Sequence, residues 1–249
     1  METQKSERRT FWKFVVIVIC CTLVGGVFGY SSVKFEGSIA DGFSAFFVFL
    51  QNWALYILSA ETVIFLGLSL VFYMLSRKKA SSLTDEDEEL YDEADHLLNT
   101  SVNLGSIYQI LAFTFFAIYL SGSAQSLGRD SLWHIGIFVV PLFANIALQS
   151  ACVKLAKSMS PEKRGSVYDM KFQKEWFESC DEAERQMIGQ AAYRSMRTTA
   201  NVILALILVA ILLGIFGLVH PFVPLSLGIV WLAQTQSYNA AATKLEKRK

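Results

Sequence analysis

Apolar residues run through this chain in six blocks, each near the length of about 20 residues that a hydrocarbon core of about 30 Å requires. They fall at approximately 11–30, 54–76, 104–122, 132–153, 202–220 and 222–240, and each predicts a transmembrane helix. Ser44 to Trp53 reads as an aromatic interfacial piece ahead of the second crossing. Two long polar stretches, 77–103 and 154–201, interrupt the pattern. In the second of them Phe172, Trp176, Cys180, Ala183, Met187 and Ala191 recur at spacings of three and four. That period puts them on one side of a helix, with Lys171, Lys174, Glu178, Glu182 and Arg185 around it. Ser166 with Asp169, and Ser179 with Glu182, both fit the Ser-x-x-acid capping pattern, so the stretch reads as one helix or as two short ones meeting near Cys180.

Composition turns these blocks into a class. With 53% hydrophobic residues, 18% charged residues and a mean hydropathy of +0.39, the chain is too apolar for an ordinary soluble domain. The expected architecture is an all-α polytopic membrane protein with six transmembrane helices and two cytoplasmic amphipathic helical loops. A zero net charge hides a strong asymmetry. With the N-terminus in the cytoplasm, only Lys34 and Arg129 of the 22 basic residues fall outside, so 20 lie inside and both termini face in. The first loop opens acidic, with Thr84 as its N-cap and eight acids from Asp85 to Asp95, and carries net −5 against +2 for the second. Opposite signs permit the loops to associate. Cys20, Cys21, Cys152 and Cys180 are expected as free thiols.

An internal repeat fits two anchors. Asp92-Glu93-Ala94 returns as Asp181-Glu182-Ala183 and Lys154-Leu155-Ala156-Lys157 as Lys244-Leu245-Glu246-Lys247, offsets of 89 and 90. Two parallel copies would be related by an axis along the membrane normal.

The segment WFESCDEAERQMIGQAAY, after the lead-in PEKRGSVYDMKF, resembles the bacterial membrane family catalogued as domain of unknown function 3169. Pro161, Phe172, Trp176, Ser179, Cys180, Asp181, Glu182, Ala183 and Glu184 carry that resemblance. The resemblance covers nearly the whole chain and implies a cell-membrane location in bacteria of the Firmicutes type; the family has no assigned activity, so it gives no mechanism.

Ionisable and polar groups inside a bilayer are costly enough to be weighed one by one. Glu61 falls inside the second crossing, and with His134 and His220 it makes a ligand set that zinc accepts, although no spacing enforces it. Separate interfacial histidines and a Glu61 hydrogen-bonded within the bundle are the plainer alternative to a metal or proton site, and no metal site is assigned. Pro141, Asn145 and Gln149 share one face of the fourth crossing, where amides either join helices or line a polar path. No H-E-x-x-H, P-loop, G-x-G-x-x-G or paired C-x-x-C occurs, and Cys180 among Asp181, Glu182 and Glu184 has its thiolate disfavoured. Basic residues are spread as topology signals, which argues against nucleic acid.

The expected function is therefore non-catalytic, with no cofactor. A regulatory or accessory subunit would dock a membrane or cytoplasmic protein partner through Phe172, Trp176, Cys180 and Met187, beside the lipid bilayer itself, with a second copy of the chain left open as partner. A small transporter or channel component with a polar path at Glu61, Asn145 and Gln149 is the alternative.

Overall fold

The computed structural model describes residues 16, 19, 41–83, 87–123, 131–166, 168–215 and 217–246. Apart from Val16 and Ile19 the crossing expected at 11–30 lies outside the described residues, as do the cap at Thr84 and the thiols Cys20 and Cys21. Six helices account for nearly all of the rest: α1 Asp41–Ala80, α2 Glu88–Ser123, α3 Ser131–Met159, α4 Phe172–Glu178, α5 Glu182–Ile215 and α6 Phe222–Glu246. No strand occurs among the described residues.

Four helices, Asp41–Ala80, Glu88–Ser121, Trp133–Met159 and Glu182–Gly214, are long and apolar enough to cross a membrane. They contain the crossing expected at 54–76, all but one residue of those at 104–122 and 132–153, and most of the one at 202–220. The block at 222–240 is helical too, but Gln234, Gln236 and Asn239 make the second half of α6 polar, and α6 is not among the four.

Two boundaries differ from expectation for physical reasons. Ser44–Trp53 is no separate interfacial piece, because nothing after Gly42 breaks the helix and α1 runs through it. At 1.5 Å per residue such a helix measures roughly 60 Å, about twice the hydrocarbon thickness. The polar stretches likewise do not form free-standing loop helices throughout. Residues 88–103 are the first turns of α2 and 182–201 the first turns of α5, since Ala, Glu, Gln and Arg there are good helix formers.

Two compact units divide the chain, residues 46–187 on one hand and residues 1–45 with 188–249 on the other. In the first, α1, α2 and α3 pack around Leu58, Tyr108, Ala112 and Phe138, with Phe116 stacked on Phe138 at 4.2 Å, and around Leu98, Leu148 and Cys152. Large apolar side chains such as Val63, Val140 and Phe143 point away from this core, as lipid-facing residues do. In the second unit Ile203 and Ala210 of α5 are buried and Gln234 of α6 donates to the Met196 carbonyl at 3.0 Å. The turn between them is a Schellman cap. Leu218 N donates to Leu213 O and Gly217 N to Gly214 O, with Gly217 at φ +69°, which ends α5 short of the expected residue 220.

Candidate functional site

Small polar side chains stitch α1 to α2. Ser69 Oγ donates to the Ser101 carbonyl at 2.9 Å while Ser101 Oγ donates to the Ser69 carbonyl at 2.8 Å, and both residues are fully buried. One heptad along, Ser76 Oγ donates to the Ala94 carbonyl at 2.7 Å. Seven residues the other way, Thr62 of α1 stands beside Tyr108 of α2. Antiparallel helices that meet every seventh residue keep one seam in register, and side chains this small let the backbones approach closely.

The amides of α3 fasten the third helix to the same α2. Asn145 Nδ2 donates to the Gly105 carbonyl at 3.1 Å and Gln149 Nε2 to the Val102 carbonyl at 3.2 Å. Gly105 is where they fit, because a Cβ there would overlap the Gln149 amide and stand 2.8 Å from Asn145 Oδ1. Of the two roles open to these amides, their donor ends perform the joining one.

Glu61 sits one residue ahead of a π-turn, Thr62–Leu66, within α1. Its side chain is 4% exposed and neither carboxyl oxygen has a hydrogen-bond partner. Asn145 Oδ1 is likewise buried without a partner. His134 does not join Glu61, since its Nδ1 is 2.8 Å from Tyr119 Oη. His220 accepts from the Phe222 amide at 3.2 Å. No group of three or more His, Cys, Asp or Glu capable of holding a metal occurs among the described residues.

The second candidate surface is the segment between α3 and α5. Ser179 and Cys180 interrupt the helical face expected to run from Phe172 to Ala191, so its members separate. Phe172 and Trp176 are half-buried with ring centroids 5.6 Å apart, Cys180 is buried, and Met187 on α5 is 65% exposed. Sequence spacing suggested a cap at Ser179, but Asp181 and Glu184 form the box: Glu184 N donates to Asp181 Oδ1 at 2.7 Å and Asp181 N to Glu184 Oε2 at 3.0 Å. Ser179 Oγ instead receives the Arg164 amide at 3.1 Å and donates to the Trp176 carbonyl.

Charge holds this segment to itself. Lys163, its side chain 9% exposed, pairs with Glu184, and Lys157 donates to the Gly165 carbonyl, where φ is +101°. Arg185 lies over the Phe177 ring and donates to the Phe177 carbonyl at 3.2 Å, capping the C-terminal end of α4. Burial pushes the Cys180 thiol above its usual range and the Glu184 carboxylate adds to that, while Lys163 opposes both. The thiolate is thus disfavoured mainly by desolvation, a cause that the neighbouring acids alone did not suggest. Burial works against the Lys163 ammonium, but its bond to Glu184 and the field of Cys180 and Glu184 outweigh it and hold the group above the ordinary lysine range.

The two polar stretches do meet. Tyr91 Oη is 2.6 Å from Ser160 Oγ, and Asp95 lies within electrostatic reach of Lys163 and Glu184. The ion pairs among the described residues, Lys79–Glu93, Lys163–Glu184 and Lys174–Glu178, each stay within one stretch, so the charge attraction between the stretches is carried by the longer-range field of Lys163 on Asp95. Beside them Lys79, Glu88, Glu89, Asp92, Glu93 and His96 line an open acidic cleft. Tyr168, Met170 and Phe177 project from the α3–α5 segment, 71%, 103% and 42% exposed.

Sequence reading passed over the serine seam, Gly105 and Tyr108. The signal available was the seven-residue spacing of Ser69 and Ser76 inside an apolar run. The model of a family described as "Protein of unknown function (DUF3169)" matches residues 8–241. No curated protein and no solved structure matches the chain.

Proposed function

The chain belongs to the DUF3169 family, and from that premise we propose a non-catalytic, multi-pass membrane protein that acts as a regulatory or accessory subunit. In this reading it lies in a bacterial cytoplasmic membrane with both termini in the cytosol, as the 20-to-2 division of basic residues supports. The bundle end that carries Ala80, Glu88 and Met159 then faces the cytosol.

One observation carries the reading. The segment between α3 and α5 is tied down by Lys163, Lys157 and Arg185, yet Tyr168, Met170 and Phe177 on it, and Met187 on the first turns of α5, are exposed. Apolar side chains on a fixed polar segment are normally covered by something. The acidic cleft of Glu88, Glu89, Asp92 and Glu93 on the adjoining turns of α2 selects the cover by charge. The partner proposed is an amphipathic, basic segment of another membrane protein, its apolar side on Phe177 and Met187 and its cations toward the cleft.

Changing Met170, Phe177 and Met187 together to Ser should release that partner from cross-linked native membranes while insertion of the chain is unaffected. An unchanged set of cross-linked proteins contradicts the reading.

The order of elements also supports the repeat as a proposal. α2 and α3, of 36 and 29 residues, are followed by α5 and α6, of 34 and 25, and α2 and α5 each open on acids. An experimental structure in which no rotation about the membrane normal overlays residues 84–157 on 173–247 contradicts it.

A further inference from the structure

Glu61 is the one acidic side chain buried in the α1–α3 bundle among the described residues, and its surroundings limit what can satisfy it. Neither oxygen accepts a hydrogen bond. From α2 the titratable group that faces this stretch is Tyr108, which is buried beside Thr62 and within electrostatic reach of Glu61. From α3 the side chains packed on the cluster of Leu58 and Tyr108 are Phe138, Ile137, Val139 and Leu142, and the ionisable His134 of that helix is engaged by Tyr119. On α1 itself the neighbours are Leu58, Phe65 and Leu66, and the charged residues Arg77, Lys78 and Lys79 lie at its far end.

A carboxylate left bare in such a place carries a desolvation cost that no partner offsets, so the group is neutralised instead. A metal cation would need several oxygens converging on it. Here the Tyr108 hydroxyl lies within electrostatic reach of Glu61 but bonds neither of its oxygens, and no group of three or more metal-ligating side chains occurs among the described residues. A proton needs no such cage. The π-turn adds a second, geometric observation, because it widens the backbone next to Glu61 and such turns recur at functional positions.

We propose that Glu61 is a reversible proton-binding site in the core of the membrane bundle, loaded as a neutral carboxylic acid, with Tyr108 as the adjacent hydroxyl that receives its hydrogen bond when the pair closes. Binding involves one proton on one carboxyl oxygen and no other reactant. The site is independent of the docking surface, since it involves none of the residues between α3 and α5.

Infrared difference spectroscopy on the full-length protein in liposomes, stepped through pH in potassium buffer, reads the site directly. The expected result is a carbonyl band of a protonated carboxylic acid that disappears reversibly as pH rises, is lost in Glu61→Gln and persists in Glu93→Gln. Should Glu61→Gln fail to insert, Glu61→Asp serves, with the band retained but displaced. Replacing potassium by sodium at fixed pH should leave the band unchanged. A wild-type protein with no titrating carboxylic band, a band that survives in Glu61→Gln, or one that sodium removes at constant pH overturns the proposal, the last in favour of a metal cation.

Discussion

Ser69 on α1 and Ser101 on α2 each donate a hydrogen bond to the other's backbone carbonyl, at 2.9 and 2.8 Å, in a fully buried reciprocal pair. A bond of this kind in a membrane bundle is worth about 0.6 kcal/mol, and up to about 1.7, because the separated helices also find partners for their hydroxyls. Ser69→Ala and Ser101→Ala should each lower stability modestly. The double variant should cost less than the sum of the two, because the two hydroxyls also touch each other at 3.2 Å and either single change already removes that shared contact. A double-mutant cycle by denaturant unfolding in detergent checks this, and strict additivity counts against the pair acting as one unit.

Gly105 governs how closely α3 approaches α2. Gly105→Ala forces the Gln149 amide off the Val102 carbonyl and crowds Asn145, an overpacking expected to cost about 1–3 kcal/mol. Gln149→Ala combined with Gly105→Ala should cost less than Gly105→Ala together with an independent loss at Gln149, because the clash is removed with the side chain. Thermal unfolding of the three variants decides it, and a Gly105→Ala protein as stable as wild type contradicts the close approach.

Cys180 offers a titration that reads the local charges. Its thiol is raised by burial first and by Glu184 next, and lowered by Lys163, so at slightly alkaline pH less of it is thiolate than in an unhindered cysteine. Alkylation of Cys180, followed by mass spectrometry, should therefore show a pH profile displaced to the alkaline side. Lys163→Met removes the opposing charge and should displace it further, whereas Glu184→Gln should bring it back. A common acceleration in both variants would mean that exposure, and not charge, sets the rate.

Lys163 itself carries a stability term with a defined sign. Its ammonium is held above the ordinary lysine range, so what it contributes is fully present below that range and is lost as pH rises through the elevated value. Limited proteolysis within 160–181 should be slow at neutral pH and accelerate only in strongly alkaline solution. Lys163→Met should be cleaved quickly already at neutral pH. Equal cleavage of the two proteins at neutral pH contradicts a holding role for the pair.

What could be read in the residues follows from what each feature depends on. Crossings depend on local hydropathy, and four of the six expected blocks coincide with helices long and apolar enough to span. Boundaries depend on breakers and caps, where local patterns compete. Asp181 displaced Ser179 as the cap of α5 because Cys180 is drawn into a buried position and the helix can begin only after it. Pairings across helices were out of reach. The alignment of Ser69 with Ser101, of Asn145 with Gly105 and of Tyr91 with Ser160 follows from the antiparallel register, which no single stretch encodes. Glu61 was visible as an acid in an apolar run, but its lack of any partner appears only once α2 and α3 are packed around it.

The docking surface is open to direct capture of whatever covers it. A photoreactive amino acid placed at Met187, and separately at Met170, in the full-length protein should be irradiated in native membranes and its adducts sequenced. The account predicts a protein adduct that maps to a basic, amphipathic segment of a membrane partner and weakens when Glu88, Glu89 and Asp92 are changed to their amides. Adducts to lipid alone at both positions would contradict it.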